Sequence, residues 1–576
     1  MSMPVEIARV VRRTVNDELD DKQQAFQNYQ KETWRSWPNK GAFDGLDNQR
    51  ESVQLGVNGH IPSWAAGTFY RTGPGQSVIE NTSRGTHHVS HWFDGFAQVH
   101  KFDLIPSLLD ETNCSVTYTS RFQSEEYIKF VRRKGWRADL SFGQRSDPCV
   151  GLFAKFMSLF TPRQINNNVT VLPNIPGMMQ DTDTSHKDFQ NEPSNLYVCT
   201  DNATLQKLDP ITLEPLGKAT QRSLHPDLKG PMSCAHAQRD PETGDLFNFN
   251  LEPGRTATYR IFRVNAASGT VDILATIADK ELAAAYIHSF FLTDNHVILC
   301  VPTSHYGWNG LKVLWERNII EAIKPFDTNE DCKWLVVDRR HGRGVVARFS
   351  TPASFFFHTI NAFEEKIKDE NGNQVTELYM DCIEYENTNI MHMLYYDILM
   401  DRNGAAAQGL AKCGLESAQM YLVRHKFTMQ NLPMPHDKNM YSQRAEQVFS
   451  IPGPHVGELP AINPDRAGKA YRYAYGVGNG GRGMFMDCLV KTDLQTREAL
   501  IWNGPVGHSP GEPMFIPRPG GAREDDGVIM TLVLDSNGQK SYLLCLDAEN
   551  LEELGRAETD FPIAFTLHGS RIPFAV

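Results

Sequence analysis

Short runs of β-branched and aromatic residues, each cut off by a tight polar turn, follow one another from about residue 50 to the C-terminus, and this texture restricts the chain to an all-β architecture. Residues 196–200, 257–263, 297–301, 334–338 and 528–534 read as strands. At 208–215, 240–247, 264–271, 491–498 and 546–553 a strand ends, an Asp- or Asn-led turn follows, and a new strand starts. Asp and Asn open such turns by bonding their own backbone, and glycine supplies positive φ. Hairpins repeated in this way over ~500 residues fit a β-propeller better than a sandwich, although their period is ragged. Helical insertions are expected at 312–323 and 405–423. Residues 5–36 are polar with spaced apolar positions and read as a helical or loosely ordered arm. The predicted division is an arm over 1–50 and a single propeller domain over 51–576, because large all-β units exceed the usual domain length.

The net charge is −12 and no basic block is present, which argues against a nucleic-acid partner, since phosphate binding needs clustered Lys and Arg. Ten cysteines are scattered with no CxxC pair, so no zinc knuckle is expected, and several lie in apolar runs as buried reduced thiols of an intracellular protein would. No signal-type apolar region opens the chain and no run of ~20 apolar residues spans a bilayer. The expectation is a cytoplasmic, non-secreted protein.

Of 19 histidines, four stand apart: His236, His288, His358 and His568 each follow an apolar or small run that reads as a buried strand or its end. A histidine there must satisfy two ring nitrogens away from water. Any one of them alone reads as a core histidine bonded to a carbonyl or carboxylate. Their spacings of 52, 70 and 210 residues match no short metal motif. Only a fold that brings distant strands to one axis joins them, and a propeller does so.

The sequence resembles the carotenoid cleavage oxygenases from about residue 52 onward. The resemblance rests on Gly67-Thr-Phe-Tyr-Arg-Thr-Gly-Pro-Gly75, His91-Trp-Phe-Asp-Gly95, Ala235-His-Ala-Gln-Arg-Asp-Pro-Glu-Thr-Gly-Asp-Leu-Phe247, His358-Thr-Ile-Asn-Ala-Phe-Glu-Glu365, Glu458-Leu-Pro-Ala-Ile-Asn463, Tyr473-Ala-Tyr-Gly476 and Gly511-Glu-Pro-Met-Phe515. It is strongest toward fungal enzymes acting on β-carotene or torulene. It implies a seven-bladed β-propeller, helical insertions capping one face, and one Fe(II) per chain held by His236, His288, His358 and His568. It further implies that Glu458, Glu512 and Asp201 accept the other ring N–H groups and orient the imidazoles. Asp201 stands where the family usually has Glu and is one methylene shorter, so a direct bond, a water-mediated one or a looser histidine are all open. His91 reads as structural.

The activity implied is dioxygenase cleavage of a conjugated C=C bond in a carotenoid or apocarotenoid, giving two carbonyl products. The electrons come from the double bond itself, so no flavin, nicotinamide or haem is expected; the glycine cluster 476–483 follows a strand but reads as a loop. Four neutral imidazoles leave the ion its full charge. The alternatives on the same scaffold are a stilbene or phenylpropene cleaver, a retinoid isomerase, or a carotenoid binder without turnover. Phe122 occupies the place where stilbene cleavers carry a phenol-binding Tyr, which favours an apolar polyene in the tunnel. The expected partners are that polyene, O2 and a membrane surface, with no obligate protein partner. Leu152, Phe153, Phe156, Met157, Leu159 and Phe160 share one helical face and are the expected docking segment; a buried helix is the competing reading.

Overall fold

Five hairpins show how the sequence folds locally. In the computed structural model the side chain of Asp209 accepts from the N–H groups of Ile211 (2.9 Å) and Thr212 (2.7 Å). Asp240, Asn265 and Asp493 each repeat this with the residues two and three further on. Asp547 bonds the N–H of Glu549 at 2.7 Å. Each of the five turns closes on a left-handed residue: Leu213, Gly244, Gly269, Arg497 and Leu551. Glycine reaches that conformation freely at two of them, and the side chains at the other three cost about 1 kcal/mol apiece. These turns link strands such as Leu246–Glu252 to their neighbours and set the antiparallel register.

The structure describes all residues except 1–7, 44–45, 138, 146–164, 179–192, 417–418, 430–439 and 575–576. Four antiparallel sheets have four strands each, running from Thr170–Pro173 to Pro215–Thr220, Gln238–Arg239 to Val271–Ile277, Phe291–Leu292 to Val345–Thr351, and Phe355–Lys368 to Glu446–Pro452. A fifth runs from Glu458–Ala461 to Ala499–Asn503, and Arg9–Arg13 adds to its outer edge. The last two blades share one ten-stranded sheet, in which Val53–Gly59 pairs with both Glu553–Glu558 and Cys114–Phe122. Seven blades result, as expected. The ring is closed by the two ends of the chain: Gly569–Pro573 pairs with Gly67–Gln76, setting Gly569 opposite Arg71. Blades pack through aromatic stacks such as Phe291–Trp334–Phe349–Phe427, with each buried ring contributing roughly 1.5–3 kcal/mol.

The helices cluster over one face. Leu311–Glu316 and Ile319–Ala322 fill the first expected insertion. The second, Ala405–Cys413, is shorter than expected: Gly414, at φ 80°, caps it, and the chain re-enters a strand at Tyr421. Ahead of residue 51, Glu18–Gln30 is helical. The Glu125–Lys134 helix was not anticipated. No helix among the described residues is long and apolar enough to cross a membrane. The docking segment 152–160 lies outside the described residues.

Candidate metal centre

His236, His288, His358 and His568 come from four blades and meet, with one nitrogen from each lying within 4.8 Å of the others. The apolar runs ahead of them were expected to be strands, and three of the four are not. Only 355–358 is a strand; the residues before His236, His288 and His568 are irregular, and inner strands begin just after each histidine. The physical reason is position. Near the axis the chain crosses between blades and divides its backbone bonds between neighbours instead of following one ladder, as in Leu567 N–H to Thr72 O of the Gly67–Gln76 strand (2.8 Å) and His568 N–H to Val169 O of a loop (3.1 Å).

Three of the rings donate Nδ1–H to a carboxylate: His288 to Asp201 Oδ2 (2.8 Å), His358 to Glu458 Oε2 (2.5 Å), and His568 to Glu512 Oε1 (2.7 Å). Asp201 therefore reaches its histidine directly despite the missing methylene. No carboxylate partners His236 among the described residues. Each carboxylate is itself held. Asp201 accepts from Tyr286 Oη (2.7 Å) and the Ala235 N–H (3.0 Å). Glu458 accepts from Tyr385 Oη (2.8 Å) and the Leu459 N–H (3.0 Å). Glu512 accepts from the Gly569 N–H (3.0 Å) and the buried guanidinium of Arg71 (3.1 Å). Tyr286, Tyr385 and Arg71 escaped the sequence reading because nothing local marks a residue whose partner lies at least 73 positions away. His91 is structural, bonded between Met391 O (2.9 Å) and the Phe93 N–H (3.2 Å).

The electrostatics favour a cation. Burial, then the neighbouring imidazoles, push the protonation of His236 and His568 far below the ordinary histidine range. Burial opposes ionisation of Glu458, but His358, Tyr385 and the Leu459 N–H hold it below the usual Glu value. Burial pushes Glu512 up to about 7 against the pull of Arg71. With Nδ1–H of His358 and His568 on carboxylates, their Nε2 lone pairs face each other at 3.0 Å; His236 and His288 face at 3.1 Å. Two lone pairs at that distance, as on His358 and His568, repel unless a positive centre lies between them. Nitrogens at right angles about an ion, with bonds of ~2.1 Å, stand ~3.0 Å apart, whereas tetrahedral ones stand ~3.4 Å apart. The donor set thus fits adjacent positions of an octahedral ion.

Above the histidines lies an apolar cavity open to solvent, about 1420 Å³ with the solvent at its opening included, whose wall includes His288, His358 and His568. Apolar side chains dominate it: Phe357 from a blade strand, Phe93, Phe142 and Phe485 from the connections between strands, and Ile390, Met393 and Leu410 from the helices. Phe122 does not line it. That ring ends its strand half-buried, lying against Gly75.

The comparisons agree with this geometry. The profile of the retinal pigment epithelial membrane protein family matches residues 43–573. A torulene dioxygenase of Gibberella fujikuroi is 52% identical, covering 98% of this chain and 99% of its own. A carotenoid dioxygenase of Neurospora crassa is 46% identical, with coverage of 97% and 95%. Among solved structures, a variant of the Synechocystis apocarotenoid oxygenase superposes with a TM-score of 0.68 at 20% identity, covering 94% of this chain and 99% of that one. A propeller whose axial histidines lie beneath an apolar cavity, matched over nearly its full length, places this chain in the retinal pigment epithelial membrane protein family, that of the carotenoid cleavage oxygenases.

Proposed function

We propose that the protein is a non-haem Fe(II) dioxygenase that cleaves a conjugated double bond of a carotenoid or apocarotenoid, torulene and β-carotene being the first substrates to test. The observation that carries this reading is the pair of facing Nε2 lone pairs of His358 and His568 at 3.0 Å, with His236 and His288 3.1 Å apart beside them, beneath an apolar cavity. His236, His288, His358 and His568 would hold the ion, which when bound would supply activation of O2 beside the alkene. The carboxylates of Asp201, Glu458 and Glu512 keep the protons on Nδ1 of His288, His358 and His568, so the Nε2 of each of these three rings offers a lone pair. Phe93, Phe142 and Phe357 exclude water and grip a polyene by its faces. The 52% identical relative is named for torulene, so the stilbene reading is not favoured. Iron-loaded protein incubated with torulene, β-carotene and resveratrol, with products separated by chromatography, should give aldehydes from a carotenoid. Products from resveratrol alone would overturn the reading.

We further propose that the protein docks on a membrane to collect its substrate. Trp308, in the left-handed turn ahead of the Leu311–Glu316 helix, is 62% exposed, and Leu311, Leu314 and Trp315 on that helix are 44%, 42% and 59% exposed. A few residues on, Ile319 lines the cavity. Exposed tryptophan and leucine clustered in one short segment, beside Lys312, suit the interface of a bilayer. Trp308→Glu with Trp315→Glu should lower co-sedimentation with phospholipid vesicles on the order of 10-fold or more, since even partial burial of two such rings is worth about 2 kcal/mol. Unchanged sedimentation of the folded double variant would rule this surface out.

A further inference from the structure

A second cluster of donor side chains lies outside the central site. Cys382 and Glu384 are two residues apart on the strand Gln374–Tyr385, so their side chains share a face. The adjacent strand Tyr421–Met429 pairs with it so that His425 stands opposite Met380, on that same face. The result is a compact trio. His425 Nε2 is 2.7 Å from Glu384 Oε1, and Cys382 Sγ is 3.6 Å from that oxygen. One donor atom from each residue lies within 4.8 Å of the other two. Tyr385, next along the strand, points the other way and holds Glu458. The two clusters therefore use opposite faces of one strand.

We propose that Cys382, Glu384 and His425 form a second metal site, selective for a borderline ion of the zinc class, at the seam between two blades. A thiolate, an imidazole and a carboxylate form a donor set such ions accept. The 3.6 Å between sulfur and oxygen equals the ~3.6 Å edge expected about a tetrahedral ion with bonds of ~2.3 and ~2.1 Å. The 2.7 Å between His425 and Glu384 is a hydrogen-bond length and would open to ~3.4 Å on binding both to the ion. The site is dry: Cys382 is fully buried and His425 nearly so.

The facing blade offers further thiols. Cys300 and Cys332 belong to the same buried cluster as Cys382. Cys332 Sγ accepts from the Ser354 N–H at 3.3 Å and contacts Ser354 Oγ at 3.5 Å and Thr303 Oγ1 at 3.6 Å. A bond from Cys300, with these donors, lowers its thiol to about 7. Burial raises the thiol of Cys382 well above its ordinary value. Binding would release that proton to solvent, so affinity should rise with pH. Cys332 stands outside the 4.8 Å that gathers the trio and would have to move inward to serve as a fourth ligand tying one blade to the next.

Cobalt(II) titrated into the chelator-stripped full-length protein tests this. Thiolate–cobalt coordination gives a near-ultraviolet charge-transfer band that four histidines cannot produce. The expected result is a band that saturates by two equivalents in the wild type, the four-histidine site taking the other, and by one in His358→Ala; it is bleached by zinc and lost in Cys382→Ser and His425→Gln. A wild-type protein without the band overturns the proposal whatever the variants do. A band undiminished in folded Cys382→Ser, or in His425→Gln should the first variant not fold, overturns it as well.

Discussion

His358→Ala should leave a folded protein that retains no more than background iron and cleaves no carotenoid. His358 is the ring whose Nε2 faces His568 at 3.0 Å and whose Nδ1 donates to Glu458. Removing it deletes one donor and the partner of a buried carboxylate together. The fold should survive, because Tyr385 and the Leu459 N–H still satisfy Glu458. Losing a supporting carboxylate costs ~10–100-fold in metal affinity, and losing the ligand should exceed that range. Glu458→Gln is the graded counterpart: it keeps the imidazole but weakens the acceptor that fixes its tautomer, and should fall within the ~10–100-fold window. Metal analysis with single-turnover assays on both variants decides the matter. Full iron content and turnover in His358→Ala would remove the four-histidine site from the mechanism.

Arg71→Met should destabilise the protein by about 3–5 kcal/mol, the cost of stripping one partner from a buried ion pair. Arg71 is 2% exposed and joins three segments. Its Nε donates to Thr566 Oγ1 at 2.9 Å, and its NH2 group donates to the main-chain oxygen (3.0 Å) and carboxylate (3.1 Å) of Glu512. It thereby pins the strand that begins the ring to the segment that ends it. Without the guanidinium, Glu512 has only the Gly569 N–H and His568 to set against its burial, so it would take up a proton and hold His568 less firmly. Arg71→Lys should recover little, since a point charge cannot reach three acceptors in a plane. Urea unfolding in the presence of a chelator isolates the effect from metal loss. A change below about 1 kcal/mol would show that the ring does not depend on this contact.

Much of the fold could be read locally. Asp209, Asp240, Asn265, Asp493 and Asp547 carry in their own side chains the bonds that turn the chain, so these hairpins were visible residue by residue. The Glu125–Lys134 helix was equally visible and was missed: Glu125 and Glu126 open it, Arg132, Arg133 and Lys134 close it, and Gly135 takes the left-handed cap. The irregular approaches to His236, His288 and His568 were not legible, because an apolar run looks the same in a buried strand and in a buried crossing near the axis.

The sequence by itself determined the turns, the strands they join, and which four histidines have apolar neighbours. It did so because these are short-range matters of side-chain shape and backbone preference. The tertiary structure alone decided that those histidines face one another at 3.0–3.1 Å, that Asp201 reaches His288 unaided, and that Arg71 and two tyrosines hold the carboxylates. It also brought Cys382 and His425 to one face, where no cysteine spacing had suggested a metal. These are long-range juxtapositions, set by blade order and strand register once the ring has closed.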